Sequence, residues 1–106
     1  MKLSKQIRRL QALQAAMGPQ TTLSQASMLL MIAERPSITA SELAGQAGMT
    51  VAAVSRFVAV MGKGRKGALS PGRRLIAVKA DPGDQRLKLL QLTKQGETLL
   101  QEVKTA

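Results

Sequence analysis

The stretch from Ala40 to Ala59, ASELAGQAGMTVAAVSRFVA, constrains the fold most, because it can form two short helices joined by a tight turn. Thr39 and Glu42 have the spacing of a capping box, in which each side chain accepts a hydrogen bond from the other residue's backbone N–H. Gly48 can adopt the positive φ that ends a helix after two turns, and Thr50 can cap the next helix. The sequence therefore predicts one helix that starts at Ala40 and a second over 51–61.

Small and apolar residues distinguish this stretch from a generic helical hairpin. Ala44 is small enough to let the second helix cross the first closely. Five apolar side chains are predicted to face inward, namely Leu43, Ala47, Met49, Val54 and Phe57. This pattern predicts a helix-turn-helix, whose second helix enters the DNA major groove. An ordinary helical hairpin is the alternative.

The formal net charge of +10, from sixteen Lys and Arg against six Asp and Glu, favours a polyanionic partner. Nine basic and two acidic residues lie between Arg56 and Lys88, so most of the surplus follows the predicted second helix. A membrane-binding helix would combine bulky apolar and basic faces with aromatic residues at the boundary. Phe57 is the single aromatic residue, which also argues against binding of RNA or single strands by base stacking. Double-stranded DNA is therefore the predicted partner, with no role for a membrane.

The composition also excludes several kinds of chemistry. The chain has no cysteine and no histidine, which excludes disulfides, thiol chemistry, the usual zinc sites and the commonest general base. Because no paired carboxylates, nucleophile or metal-ligand cluster emerges, we expect no enzymatic activity, no cofactor and no metal, and the sequence indicates no small-molecule effector site. The longest apolar run, 28–33, is too short to span a bilayer, and no signal-peptide core follows Lys2 and Lys5. We therefore expect a cytoplasmic, nucleoid-associated protein of bacterial, phage or plasmid origin.

The N-terminal third of the chain predicts two more helices. Apolar residues recur at three- and four-residue steps over 1–17, at Leu3, Ile7, Leu10, Leu13 and Met17. This amphipathic helix, which ends near Gly18, can pack on its own domain or join two copies of the chain. We favour a homodimer formed through the first and last helices. A second helix is predicted to open at Leu23, with Ser24 as its cap, and to end at 34–36.

The C-terminal half predicts a basic loop, a β-hairpin and a final helix. The loop, 62–72, is either a solvated linker or an element that lies along DNA phosphates. Strand candidates at 73–80 and 86–92 flank a turn at 81–84, which is the pattern of the wing in a winged helix. Thr93 is predicted to cap a helix over 94–104. Residues 1–106 thus form one α+β domain, mainly α with a small β-hairpin, of the winged helix-turn-helix class.

Candidate DNA contacts are the outward residues of the helix-turn-helix and the basic residues that follow it. They are Ser41, Thr50, Ala52, Ala53, Ser55, Arg56, Lys63, Arg65, Lys66, Arg73 and Arg74. Of the outward residues on the second helix, Arg56 alone can make a bidentate contact to guanine, and a phosphate contact without sequence information is the alternative. The alanines can at most touch thymine methyl groups, so direct base readout should be sparse.

Two motifs follow one another along the chain. The helix-turn-helix contains Leu43, Ala44, Gly48, Val54, Ser55 and Arg56, and the wing pattern DxRxxxxxLTxxG is formed by Asp84, Arg86, Leu92, Thr93 and Gly96. In these two motifs the chain resembles the MarR family of winged-helix transcriptional regulators. The resemblance covers about 23–103. It implies that Arg86 reaches the minor groove and that Asp84 orients the wing. Alternatively, these two residues only stabilise the hairpin turn.

The leading hypothesis is a dimeric, sequence-specific regulator that represses by occupying a promoter. Two copies related by a two-fold axis predict a pseudo-palindromic site with half-sites about one helical turn apart. A low-specificity architectural or replication-associated DNA-binding protein is the second hypothesis, because the outward alanines read bases poorly. A third is a winged-helix module that docks an acidic protein.

Overall fold

The computed structural model of the protein describes residues 3–64 and 72–106. The elements in these ranges are α1 (Ser4–Met17), α2 (Leu23–Glu34), β1 (Ile38–Thr39), α3 (Ala40–Ala47), α4 (Val51–Met61), β2 (Ile76–Ala80), β3 (Lys88–Leu92) and α5 (Lys94–Thr105). The strands form one antiparallel sheet in the order β1-β3-β2. The predicted α+β winged-helix fold is confirmed. Most of the predicted basic loop, with the candidates Arg65 and Lys66, lies outside the described residues.

The hydrophobic core draws side chains from all of the helices and from the sheet. Its most deeply buried members are Met28, Leu29, Ile32, Ile38, Leu43, Val54 and Leu90. Of the side chains predicted to face inward, Leu43, Val54 and Phe57 are buried, while Ala47 and Met49 pack against the core and are half-buried. Complete burial of a leucine or valine side chain contributes about 1.5–3 kcal/mol, so this core holds α3 and α4 on the rest of the domain.

Capping boxes start α2 and α3. The N–H of Glu42 donates to Oγ1 of Thr39 at 3.1 Å, and the N–H of Thr39 donates to Oε1 of Glu42 at 3.0 Å, as predicted. The hydrogen bonds from Thr39, with a smaller contribution from the charge of Arg35, hold the pKa of Glu42 below its ordinary value of 4.5.

The predicted cap of α2 was wrong: Thr22 caps this helix, not Ser24. The N–H of Gln25 donates to Oγ1 of Thr22 at 3.1 Å, and the N–H of Thr22 donates to Oε1 of Gln25 at 3.0 Å. Three residues after Ser24 stands Ser27, whose short side chain cannot complete the reciprocal bond. The residue at the third helical position therefore decides which hydroxyl becomes the cap.

The turn between α3 and α4 has the geometry of a helix-turn-helix. Gly48 takes a φ of 67°, and the N–H groups of Gly48 and Met49 both donate to the carbonyl of Ala44. Oγ1 of Thr50 then accepts from the N–H of Ala53 at 3.1 Å and starts α4. The two helices are bent by 110° relative to each other, within the range of about 90–120° for this motif.

Helix α1 packs on α5, and its apolar stripe divides into a buried half and an exposed half. Leu13 and Met17 are buried in the core. Leu3, Ile7 and Leu10 are 59%, 51% and 51% exposed. Core packing therefore accounts for the C-terminal half of the stripe and leaves the N-terminal half open to solvent.

The first strand of the wing is shorter than the predicted 73–80, because its first three residues hydrogen-bond to the end of α4 instead. The N–H of Arg74 donates to the carbonyl of Gly62 at 2.8 Å, and that of Leu75 donates to the carbonyl of Met61 at 2.7 Å. Carbonyls at the end of a helix have no partner within it. The segment that leads into β2 satisfies them and so ties the wing to α4.

The first turn of α5 also hydrogen-bonds to the segment that leads into β2. Oγ1 of Thr93 accepts from the N–H of Gly96 at 3.0 Å and donates to the carbonyl of Arg74 at 2.6 Å, while the N–H of Thr93 donates to the carbonyl of Leu75 at 3.0 Å. A Cβ on Gly96 would collide with that carbonyl oxygen of Leu75. Thr93 and Gly96 of the wing motif therefore connect α5 to the segment that joins α4 to β2. We call the contacts of Arg74, Leu75, Thr93 and Gly96 the wing junction.

Gly96→Ala should lower the free energy of unfolding by about 1–3 kcal/mol, because the added methyl group overpacks the wing junction. Gly45→Ala is the matched control: this helical glycine has nothing within 4 Å of the added Cβ. It should raise stability by about 0.5–1 kcal/mol through helix propensity. Urea denaturation followed by circular dichroism measures both, and equal stability of the two variants would contradict the close packing.

Candidate nucleic-acid interface

Helix α4 presents one free face to solvent. Val54, Phe57 and Met61 bury the opposite side in the core. The exposed residues near the start and middle of the free face are Val51, Ala52, Ser55 and Arg56. Ala53, in the first turn of α4, and Ala59, near its C-terminal end, are half-buried. The outward face predicted for the second helix is thus available to a partner, apart from these two alanines.

The N-terminal end of α4 suits a phosphate group. Its first turn contains no acidic residue, so the positive end of the helix dipole is not neutralised there. Oγ1 of Thr50 accepts the hydrogen bond from Ala53, which leaves the hydroxyl proton free to donate outward. Ser41, in the first turn of α3, is also exposed.

Arg56 is exposed on α4 and has no carboxylate partner among the described residues. The salt bridges in this part of the chain are Arg35 with Glu42 and Arg86 with Asp84. A guanidinium presents a planar fork of N–H donors that fits either guanine or a phosphate. Arg56 can therefore serve either of the two contacts considered from the sequence.

The tip of the wing is built around two aspartates. Oδ1 of Asp81 accepts from the N–H of Gly83 at 2.7 Å and from the N–H of Asp84 at 3.3 Å. The N–H of Leu87 donates to the carbonyl of Asp84 at 3.0 Å. These bonds turn the chain before β3, which is why that strand begins at Lys88 rather than at the predicted residue 86.

Asp84 also fixes the wing arginine. Its Oδ1 accepts from the backbone N–H of Arg86 at 3.0 Å and from Nε of the same residue at 3.2 Å. The first bond stabilises the turn, and the second sets the direction of the Arg86 side chain. The carboxylate of Asp84 is therefore compatible with both roles considered from the sequence, stabilising the hairpin turn and orienting the wing. Because the Arg86 side chain remains 92% exposed, its terminal nitrogens stay free to bind an anion.

The other basic candidates occupy two places. Lys63 and Arg74 are exposed at the C-terminal end of α4, where Arg74 adopts a φ of 58° and its backbone belongs to the wing junction. The guanidinium of Arg73 lies against Gly18 at the end of α1, with Nη2 2.6 Å from the point where a Cβ on that glycine would stand. A cation at the C-terminal end of a helix interacts favourably with the helix dipole. Arg73 can therefore stabilise the end of α1, in addition to being a candidate DNA contact.

Val51 is an exposed residue of the free face that the sequence interpretation omitted. Its side chain is 47% exposed although it is a valine in the first turn of α4. The sequence did contain a signal, because Val51 lies four residues before Ser55 and residues at this spacing share a helix face. Leu87, 45% exposed beside Arg86, is a second apolar residue next to a candidate contact.

Other kinds of site find little support in the described ranges. Residues 3–64 and 72–106 contain no group of three or more His, Cys, Asp or Glu side chains that could hold a metal ion. No single helix within these ranges is long and apolar enough to cross a membrane; α3 and α4 together would have that length and apolar character, but they are bent by 110° relative to each other.

Comparison with solved structures shows that the fold is that of bacterial transcriptional regulators. The YusO protein of Bacillus subtilis superimposes with a TM-score of 0.69 at 22% identity, over 95% of this chain and 63% of that one. The regulator Tm0710 of Thermotoga maritima gives 0.73 at 20% identity, over 95% and 63%. The S. aureus MepR–DNA complex gives 0.70 at 19% identity, over 95% and 71%.

These similarities confirm the MarR-like winged-helix fold. No protein-family profile and no curated protein sequence matches the chain. The chain spans 63% of the length of YusO and of Tm0710.

Proposed function

We propose that this chain is a transcriptional regulator that binds double-stranded DNA, with α4 in the major groove and the wing at the adjoining minor groove. The observation that carries the proposal is the free face of α4 with Arg56, set on the same rigid scaffold as the solvent-exposed Arg86. A protein of this fold, MepR, has been solved in complex with DNA. The second helix of a helix-turn-helix lies in the DNA major groove.

The charge distribution supports a polyanionic partner, and the salt dependence of binding would separate a nucleic acid from an acidic protein. Between Gly48 and Ala80 the sequence contains seven basic residues and no acidic one. The two described acidic residues of the wing, Asp81 and Asp84, accept hydrogen bonds within its turn. Cations that contact phosphates make affinity fall as salt rises, whereas one or two ion pairs with a protein would give a weaker dependence.

A homodimer is part of the proposal because α1 leaves an apolar surface open. Leu3, Ile7 and Leu10 lie at helical spacing on α1, and Leu23 of α2, which is 74% exposed, lines a groove beside Ile7 and Leu10. A second copy related by a two-fold axis would cover this surface. The two α4 helices of such a dimer would then reach half-sites about 34–36 Å apart on a pseudo-palindromic operator. Repression by promoter occupancy is the simplest outcome of such binding.

A low-specificity architectural DNA-binding protein is the second candidate. The free face of α4 favours it, because Val51, Ala52 and Ser55 offer little hydrogen-bonding discrimination among bases. Most of the affinity would then come from phosphate contacts, which carry no sequence information.

Selection from a pool of random duplexes, followed by competition, tests the choice between the two. We expect the purified protein to enrich one pseudo-palindromic sequence and to prefer it over random duplex by about 10³-fold or more. Fluorescence anisotropy at two salt concentrations measures both affinities. Enrichment without any common sequence would favour the architectural candidate, and no binding at low salt would reject both.

Arg56→Ala should weaken binding to the selected duplex, because Arg56 is the one long cationic side chain on the free face of α4. If Arg56 reads a base, preference at one position should relax by about 1–3 kcal/mol. Arg8→Ala is the matched control, since it removes the same charge from an exposed position on α1. Anisotropy titrations on single-position duplex variants measure both. Equal loss in the two variants would mean that only the overall charge matters.

Ile7→Glu should prevent self-association, because a dimer formed through α1 would bury this carboxylate without a partner. Val78→Glu is the control, since Val78 is 48% exposed and lies on β2 of the wing rather than on α1. Sedimentation equilibrium over a range of concentrations gives the dissociation constant of each variant. A dimer that tolerates Ile7→Glu would place the interface elsewhere.

A further inference from the structure

The free face of α4 carries a combination of side chains that restricts which bases it can accept. Val51 and Ala52 present only methyl groups, and Ser55 presents one small hydroxyl. Arg56 is the sole long polar side chain among the four. The N-terminal residues of a recognition helix are those that meet base edges, so Val51 and Ala52 stand where readout takes place.

Side chains that present only methyl groups to the major groove favour contact with thymine over the other bases. Its C5-methyl group is the apolar group that an unmodified base pair exposes there, and the other edges carry hydrogen-bond donors and acceptors. Covering those polar groups with Val51 or Ala52 would remove their water without replacing its hydrogen bonds, which is unfavourable. Contact with a thymine methyl group buries apolar surface on both sides.

We infer that Val51 and Ala52 read thymine methyl groups, so that the preferred half-site combines thymine with a guanine contacted by Arg56. The inference rests on the proposed function and specifies its DNA sequence. Ala52 is four residues and Val51 five residues from Arg56, so they are displaced from it by about 6 Å and about 7.5 Å along the helix axis, which corresponds to about two base-pair steps of 3.4 Å. Thymine and guanine should therefore lie about two base pairs apart within one half-site.

Deoxyuridine tests this readout, because it pairs as thymine does and lacks only the methyl group. In the duplex enriched from the random pool, each thymine is replaced in turn and the dissociation constant is measured. We expect affinity to fall about fourfold at one or two positions per half-site, the effect of one buried methyl group, and to change little elsewhere.

Two valine variants assign the effect to a side chain. Val51→Ala should reduce the penalty for deoxyuridine at the contacted position to less than about twofold, because fewer methyl groups remain to cover the thymine. Val60→Ala is the matched control: Val60 is 43% exposed on the same helix but lies near its C-terminal end. This variant should keep the full penalty. Circular dichroism confirms that both variants are folded.

The outcomes separate this inference from the function on which it rests. An enriched duplex that tolerates deoxyuridine at every position overturns thymine readout and leaves the regulator intact. A penalty that persists unchanged in Val51→Ala overturns the assignment to Val51. Enrichment without a common sequence overturns both thymine readout and sequence-specific regulation.

Discussion

The wing junction is the contact on which the arrangement of the interface depends. A recognition helix and a wing can address neighbouring grooves only if their relative position is fixed, and the two are linked through residues that the structure describes at 72–75. Leu75 donates to the end of α4, accepts from Thr93 and packs directly on Gly96. Because three elements meet within a few backbone atoms, a change in the direction of one would disturb the other two. Thr93 and Gly96 of the LTxxG motif therefore have a structural role in backbone packing.

Two different physical means present the charges of the interface. Asp84 directs Arg86, which keeps the side chain at the tip of the wing without covering its terminal nitrogens. Arg56 has no such partner within the described residues and gains its position only from α4. A directed arginine loses less conformational entropy on binding, whereas an undirected one can adapt to either a base or a phosphate. In the proposed DNA complex, Arg86 would therefore bind with its direction already set, while Arg56 would adjust to the group that it meets.

Local signals predicted the parts of the fold that depend on neighbouring residues. The capping box of Thr39 and Glu42 and the positive φ of Gly48 each follow from a few adjacent positions, and both are confirmed. The cap of α2 was predicted wrongly because both Thr22 and Ser24 have a hydroxyl group that could cap the helix. Gln25, three residues after Thr22, is the signal that identifies Thr22 as the cap.

The start of β2 could not be predicted locally, because the residues before it bond to the end of α4, more than ten positions earlier. The same limit applies to the site. Helical spacing alone could have placed Val51 on the outward face of α4, but no pattern in the sequence indicates that Arg73 lies against Gly18, which is distant along the chain. The DNA contacts themselves remain predictions.

The backbone on either side of residues 65–71 has an evolutionary consequence. The N–H of Gly72 donates to the carbonyl of Lys63 at 3.4 Å, so the chain leaves the end of α4 and returns to it at nearly the same place. Residues inserted or deleted between these two points would not have to move either helix or strand, and doubling the length of a closed loop costs only about 0.6 kcal/mol. If the proposed DNA binding holds, lysines and arginines gained or lost here would change the number of phosphate contacts while the described framework stays the same.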